Sequence, residues 1–208
     1  MEPRIAPIGS FLRRRGYGTP VVVVSGLPRS GTSMMMRMLE AGGLIVFTDG
    51  ERTADIDNPE GYYEFERVKD LEKDADRTWV RGARGKALKV ISFLLRHLPD
   101  ENAYRIVYMR RHLDEVLKSQ DKMLDRLGNA APGADLEAMK EAYRNDIVAA
   151  RLFARKQPNM EMIEVHYAEA VADPAAAARA VSEFIGGGLD LGAMAGSVKE
   201  SLYRNRAR

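Results

Sequence analysis

The residues best suited to chemistry form a short, glycine-bracketed turn between an apolar run and a helical segment. The run Val21–Ser25 is followed by Gly26-Leu27-Pro28-Arg29-Ser30-Gly31-Thr32-Ser33. A turn of this kind directs backbone N–H groups at an anion, and the helix that follows adds partial positive charge at its N-terminus. Thr32 and Ser33 add hydroxyl donors, and Arg29 adds a cation. The pattern predicts a site for a phosphate-type group.

The turn resembles the phosphate loop of nucleotide hydrolases, Gly-x4-Gly-Lys-Ser/Thr, with one departure. Thr32 stands where that loop has its lysine, and the cation lies earlier, at Arg29. The usual lysine neutralises the outer phosphates of a triphosphate. A loop without it suits a shorter anion, such as a 5′-phosphate that carries one further group. A P-loop kinase for a small metabolite is therefore disfavoured, but it remains an alternative.

A second basic site follows a later predicted strand. The strand Tyr104–Met109 leads into Arg110-Arg111, and Ser119 comes eight residues after Arg111, early in a predicted helix. An arginine at a strand tip and a serine on the next helix can converge on one phosphate. The paired arginines would repel the Mg²⁺ that a kinase needs, which again disfavours that alternative.

Together the two motifs resemble the sulfotransferase family, which moves a sulfuryl group from 3′-phosphoadenosine 5′-phosphosulfate (PAPS) to an acceptor hydroxyl or amine. The family's first motif, Pro-Lys/Arg-Ser-Gly-Thr-Thr/Ser, is matched at every position by Pro28–Ser33. Its second motif, an Arg with a Ser eight residues later, is matched by Arg111 and Ser119. The donor-binding residues that the resemblance implies are Arg29, Ser30, Gly31, Thr32, Ser33, Arg111 and Ser119.

The resemblance covers about residues 20 to 205 and assigns further roles. It implies that Arg29 holds the 5′-phosphosulfate and stabilises charge on the bridging oxygen. Lys89 stands where many members carry a lysine near the sulfuryl group, which makes it a catalytic candidate. Arg204, in the basic tail, is expected to help cover the nucleotide. PAPS is the expected co-substrate, and no metal is implied.

The catalytic base is the least determined part of the predicted site. Cytosolic small-molecule sulfotransferases carry a histidine two residues after the strand lysine, and this chain has Ile91 there. Other branches use a glutamate in the loop after the first helix, which makes Glu51 a candidate. Glu64, in a turn rich in Gly and Tyr, is the second candidate. Because the histidine is missing, a non-catalytic nucleotide-binding protein is a further alternative.

The elements that position these residues alternate between strand and helix. Strands are predicted at Val21–Ser25, Ala87–Ile91, Tyr104–Met109 and Met160–Val165, and helices at Thr32–Ala41, 68–77, Asp114–Leu127, Leu136–Lys156 and from Asp173 to Gly186. This alternation predicts a three-layer α/β fold like that of P-loop NTPases, with a central parallel sheet flanked by helices. Ligands of such sheets bind beyond the carboxyl ends of the strands.

Other features of the sequence predict the domain organisation, the binding partners and the cellular location. Residues 1–19 are predicted to be an N-terminal arm, residues 20–208 a single domain, and the irregular stretch 44–85 a binding loop or lid. The net charge of +2 argues against a dedicated nucleic-acid binder. There is no cysteine, no signal-peptide pattern and no run of about 20 apolar residues, which favours a cytoplasmic protein without a membrane span. We expect a small-molecule or carbohydrate acceptor. The identity of the acceptor and the oligomeric state of the protein stay open.

Overall fold

Four parallel strands form the central sheet in the described part of the protein. The structure is a computed structural model, which describes residues 16–50, 63–126, 135–199 and 203. The strands are β1 (Val21–Gly26), β2 (Ala87–Lys89), β3 (Tyr104–Arg110) and β4 (Met160–His166). Their order across the sheet is β2-β1-β3-β4. The chain adds β2 on one side of β1 and then β3 on the other. Ligands of open α/β sheets bind at such a switch point.

Helices cover both faces of this sheet. The α-helices of the described residues are α1 (Thr32–Ala41), α2 (Leu113–Arg126), α3 (Leu136–Lys156), α4 (Tyr167–Ala172), α5 (Pro174–Ile185) and α6 (Leu191–Gly196). Short 3₁₀ helices lie at Glu66–Asp70, Thr78–Ala83 and Ser92–His97. The predicted three-layer α/β fold with a central parallel sheet is confirmed.

The valines of β1 explain why the sheet is buried on both faces. Val21 and Val23 belong to a core cluster that includes residues of α3, whereas Val22 and Val24 pack with the methionines of α1. Successive strand side chains point to opposite faces, so an unbroken apolar run is what a strand between two helical layers requires.

Most predicted elements begin and end within two residues of the observed ones, but the helix predicted at 68–77 is wrong. The chain forms the 3₁₀ helix Glu66–Asp70 and then turns. The Asp74 carboxylate accepts a hydrogen bond from the backbone N–H of Asp76 at 3.0 Å, and the Asp76 carboxylate accepts one from the N–H of Thr78 at 3.0 Å. Local bonds from aspartate to the backbone compete with the helical ladder and stop it.

The stretch 44–85 is described on either side of residues 51–62, which lie outside the described residues. The ring of Phe65 lies 4.7 Å from that of Phe47 and 5.0 Å from that of Trp79, measured between centroids. All three rings pack against the core cluster that contains Val21 and Val23. These side chains anchor the stretch to the sheet, and the lid role stays a prediction.

Two sequence-based expectations concern the whole chain. The division into an arm at 1–19 and one domain at 20–208 stays a prediction, because residues 1–15 lie outside the described part. Within the described part, no helix combines the length and the apolar character needed to cross a membrane.

A buried phenol on β3 makes the stability of the fold sensitive to alkaline pH. Tyr108 is 2% exposed, and its hydroxyl lies 2.7 Å from that of Ser92. Burial is the main cause that raises the pKa of Tyr108 to about 12. The unfolded chain releases the same proton near pH 10. The stabilisation by the protonated phenol is therefore complete below about pH 10 and lost as pH rises towards 12.

We expect the free energy of unfolding to fall less steeply in Tyr108→Phe than in the wild type between about pH 9 and 11.5. Urea unfolding at several pH values measures the two slopes. Val148→Ala, an exposed substitution on α3 that removes no titratable group, is the control and should keep the wild-type slope. Equal slopes for Tyr108→Phe and the wild type would contradict a raised pKa of Tyr108 in the folded protein.

Candidate functional site

The turn after β1 and the arginine pair after β3 lie side by side at the carboxyl edge of the sheet. Gly26 and Met109 are partners in the parallel register of the two strands. The chain that follows each strand therefore leaves the sheet at the same place. The turn leads directly into α1, and an α-helix does not use its first N–H groups in its own ladder. The prediction that both basic segments share one rim is confirmed.

Two glycines allow the turn to pack as closely as it does. A Cβ added to Gly26 would lie 2.4 Å from the Ser30 hydroxyl oxygen and 2.7 Å from the carbonyl oxygen of Met109. A Cβ added to Gly31 would lie 2.3 Å from Cδ2 of Tyr167. Both glycines also have positive φ angles, 147° and 102°. Glycine is thus required at both positions by space and by backbone conformation.

Arg29 sits in the turn with a left-handed backbone, at φ 68°. Few non-glycine residues adopt this conformation, and such residues cluster at functional sites. Its Nε donates a hydrogen bond to the hydroxyl oxygen of Ser119, 3.1 Å away on α2. The cation of the first predicted motif therefore contacts the hydroxyl of the second.

The hydroxyl groups of the turn are largely buried. Ser30 is 1% exposed, and its Oγ has no hydrogen-bond partner within the described part of the chain. Thr32 is also buried and is the first residue of α1. Because buried polar atoms are nearly always hydrogen-bonded, the Oγ of Ser30 is an atom that a ligand at this turn would satisfy.

Arg111 is held against the turn by several groups at once. Its Nη1 donates to the carbonyl oxygen of Arg29 at 3.3 Å, and its Nε donates to the Glu115 carboxylate at 2.8 Å. The guanidinium carbon lies 4.6 Å from the centroid of the Tyr167 ring and 5.3 Å from that of Tyr203. Arg111 and Ser119 therefore both reach the first motif through Arg29.

Sequence reasoning did not identify Glu115 or Tyr167 as site residues. The hydroxyl of Tyr203 donates to the second Glu115 oxygen at 2.9 Å, and the rings of Tyr167 and Tyr203 meet edge to face at 5.0 Å. Burial and this hydrogen bond raise the pKa of Tyr203, and burial raises the pKa of Tyr167. The available signal for Glu115 was a carboxylate four residues after Arg111. Arg111 precedes α2, which begins at Leu113, and Glu115 lies in the first turn of that helix. No signal in the sequence connects Tyr167 with Gly31.

A second charged group lies at the start of α1, on the side of β2. Lys89 is 9% exposed, and its Nζ lies 3.4 Å from the Ser33 hydroxyl and 3.4 Å from the Glu64 carboxylate. Lys69 approaches the other Glu64 oxygen at 3.8 Å. Three predicted site residues thus come together here. The other base candidate, Glu51, and the predicted nucleotide contact Arg204 lie outside the described residues.

The two arginines at the end of β3 point to different partners. Arg110 donates through Nη1 to the Glu164 carboxylate on β4 at 2.8 Å. Arg151 of α3 donates through Nε to the other oxygen of Glu164 at 2.6 Å. Arg110 therefore belongs to an ion-pair group away from the turn, and only Arg111 joins the site. In the ranges that the structure describes, no group of three or more His, Asp or Glu side chains is placed to hold a metal ion.

Comparison with known proteins places the chain in a family. The model of the sulfotransferase family matches residues 68–190, more than half of the chain. The chain belongs to the sulfotransferase family. The matched region contains Lys89, Arg111 and Ser119 and begins after the turn that carries Arg29. A search of curated proteins found no match.

Solved sulfotransferase structures have the same fold. The sulfotransferase domain from the Synechococcus PCC 7002 olefin synthase superposes with a TM-score of 0.53 at 18% identity, over 91% of this chain and 81% of that one. Mouse sulfotransferase SULT7A1, complexed with PAP, superposes with a TM-score of 0.53 at 15% identity, over 92% of this chain and 70% of that one. At these identities the likeness concerns the fold.

We expect Gly31→Ala to destabilise the protein more than Gly43→Ala does. Gly43 has a similar φ of 96° but open space around its Cα, so its alanine variant measures backbone strain alone. The extra loss in Gly31→Ala, about 1–3 kcal/mol, comes from the collision with Tyr167. Chemical denaturation of both variants gives the difference. Equal losses would contradict the packing of Tyr167 on the turn.

Proposed function

We propose that the protein transfers the sulfuryl group of PAPS to a hydroxyl or amine of an acceptor. Membership of the sulfotransferase family supports the reaction class. The contact of 3.1 Å between Arg29 and Ser119 is the observation that carries the donor assignment. It brings together the two motifs expected to hold the two phosphates of one nucleotide.

The turn is proposed to hold the 5′ end of the donor. Thr32 and Ser33 open α1, where partial positive charge and N–H groups favour an anion. The buried Oγ of Ser30, without a partner in the described residues, fits the same ligand. The guanidinium of Arg29 supplies the charge that the loop lysine supplies in nucleotide hydrolases.

Arg111 and Ser119 are proposed to hold the 3′-phosphate. Arg111 has five N–H donors in a planar fork, and within the described residues its hydrogen bonds to oxygen atoms use only Nε and Nη1. Charge-assisted bonds from an arginine fork to phosphate are among the stronger hydrogen bonds in proteins. A nucleotide with a 3′-phosphate should therefore bind better than one with a 3′-hydroxyl.

The proposed reaction is an in-line displacement at sulfur. A bond forms between the acceptor oxygen or nitrogen and sulfur, while the bond between sulfur and the bridging oxygen of the 5′-phosphate breaks. Arg29 stabilises the charge that develops on the leaving oxygen. A carboxylate takes the acceptor proton.

Glu64 is our choice for this carboxylate. It lies 3.4 Å from Lys89, which in turn lies 3.4 Å from Ser33 at the start of the turn helix. These two distances support the choice, because a carboxylate here has a cation beside it and lies near the proposed phosphosulfate position. Glu51 remains the alternative candidate. A small-molecule or carbohydrate acceptor, a cytoplasmic location and the coverage of the nucleotide by Arg204 stay predictions from the sequence.

We expect Arg29→Ala and Arg111→Ala each to weaken binding of 3′,5′-diphosphoadenosine, the desulfated donor, by at least about 1.5 kcal/mol. Each substitution removes a cation from a phosphate position. Isothermal titration calorimetry measures the loss. Arg110→Ala is the matched control, because it removes the neighbouring cation that pairs with Glu164.

The same titration distinguishes the rival functions. ATP with Mg²⁺ should not bind, whereas binding of ATP in preference to the diphosphonucleotide would favour a kinase and overturn the donor assignment. Binding of the diphosphonucleotide without sulfate transfer from PAPS to any member of a broad acceptor panel would favour a non-catalytic binding protein.

We expect Glu64→Gln to lower the rate of sulfuryl transfer about 10²- to 10⁴-fold with little change in nucleotide affinity, because it removes only the proton acceptor. Transfer of labelled sulfate from PAPS measures the rate. Glu66→Gln, two residues away and paired with Lys69, is the control and should retain activity. Full activity in Glu64→Gln together with its loss in Glu51→Gln would assign the base to Glu51 instead.

A further inference from the structure

We infer that Glu115 positions Arg111 and thereby sets the preference for nucleotides that carry a 3′-phosphate over those that end in a 3′-hydroxyl. This inference rests on the proposed donor site and adds a residue to it. Glu115 does not need to touch the nucleotide, because it acts through the orientation of the arginine.

The ion pair between these residues is almost completely buried. The side chains of Arg111 and Glu115 are 8% and 5% exposed, and the carboxylate accepts from Nε at 2.8 Å. A buried charge is costly unless it is paired, so a buried arginine needs a carboxylate when no phosphate is present. Glu115 lets the protein keep the arginine at the phosphate position before the nucleotide binds.

The contacts of Arg111 restrict its guanidinium in three directions. Glu115 holds the Nε edge, and the carbonyl oxygen of Arg29 holds Nη1 at 3.3 Å. Tyr167 and Tyr203 lie within 4.6 and 5.3 Å of the guanidinium carbon and limit its tilt. Among the described residues, no hydrogen bond occupies Nη2. The fork therefore keeps two N–H donors, together with the second N–H of Nη1, for an anion.

The carboxylate is itself fixed. One Glu115 oxygen accepts from Arg111 and the other accepts from the Tyr203 hydroxyl at 2.9 Å. A carboxylate held at both oxygens cannot swing away, so the direction of the arginine fork is determined before binding. Preorganised donors lose less conformational entropy when the ligand arrives.

A Glu115 that competes with the nucleotide for Arg111 predicts a different change in nucleotide affinity. If the carboxylate competed with the 3′-phosphate for Arg111, its removal would tighten binding of the diphosphonucleotide. If it positions the arginine, its removal weakens that binding and leaves a nucleotide without a 3′-phosphate unaffected.

The experiment compares the affinities of 3′,5′-diphosphoadenosine and 5′-AMP for the wild type, Glu115→Ala and Glu115→Gln by calorimetry. In Glu115→Ala we expect at least about tenfold weaker binding of the diphosphonucleotide and less than about threefold change for 5′-AMP. Glutamine keeps an oxygen for Arg111 and an amide N–H for Tyr203. We therefore expect Glu115→Gln to recover most of the affinity, to within about threefold of the wild type.

Glu164→Ala is the matched control, because it removes the carboxylate from the neighbouring Arg110 and should change neither affinity. Thermal melting of each variant shows whether it is folded.

Unchanged or tighter binding of the diphosphonucleotide in Glu115→Ala would overturn the inference, and so would an equal loss of affinity for both nucleotides. If Glu115→Ala does not fold, Glu115→Gln alone decides. Binding of the diphosphonucleotide at least about tenfold weaker in Glu115→Gln than in the wild type then overturns the inference. If the wild type itself does not prefer the 3′-phosphate, the proposed donor site fails instead.

Discussion

The hydrogen-bonded pairing of β1 with β3 is the constraint on which the site depends. Because Gly26 and Met109 are partners in this register, the turn after one strand and the arginine after the other emerge together. Only glycine at position 26 allows the Ser30 hydroxyl and the β3 backbone to approach this closely. Shifting the register by one residue would turn every side chain of the strand to the opposite helical layer, so the apolar core on both faces also fixes the site.

Two cations of the site, Lys89 and Arg111, are each paired with a carboxylate, and this affects how an anion can be held. Lys89 lies beside Glu64, and Arg111 pairs with Glu115. The whole chain carries a net charge of only +2. Affinity for a nucleotide must therefore come from N–H and O–H groups aimed over short distances, and long-range attraction contributes little. Such a site discriminates by geometry, which suits a ligand with two phosphates at a set separation.

The parts of the structure that follow local rules could be predicted from the sequence. The unbroken valine run, the glycine-bracketed turn and the alternation of strands with helices determine the fold class and place the turn beside Arg111. The prediction of a helix at 68–77 failed because the carboxylates of Asp74 and Asp76 accept hydrogen bonds from the backbone N–H two residues later. The contacts of Tyr167 and Tyr203 depend on residues far apart in the chain, and no local pattern encodes which ring will lie against Arg111.

The aromatic cluster has a practical consequence, because Trp79 is the only tryptophan of the chain. Its ring lies 5.0 Å from that of Phe65, which directly follows Glu64, and the guanidinium of Arg67 lies 5.5 Å from its centre. Indole emission responds to nearby rings and charges. Any rearrangement of the segment that carries Glu64 would change the surroundings of this one fluorophore, so the native protein contains its own optical reporter for changes around Glu64.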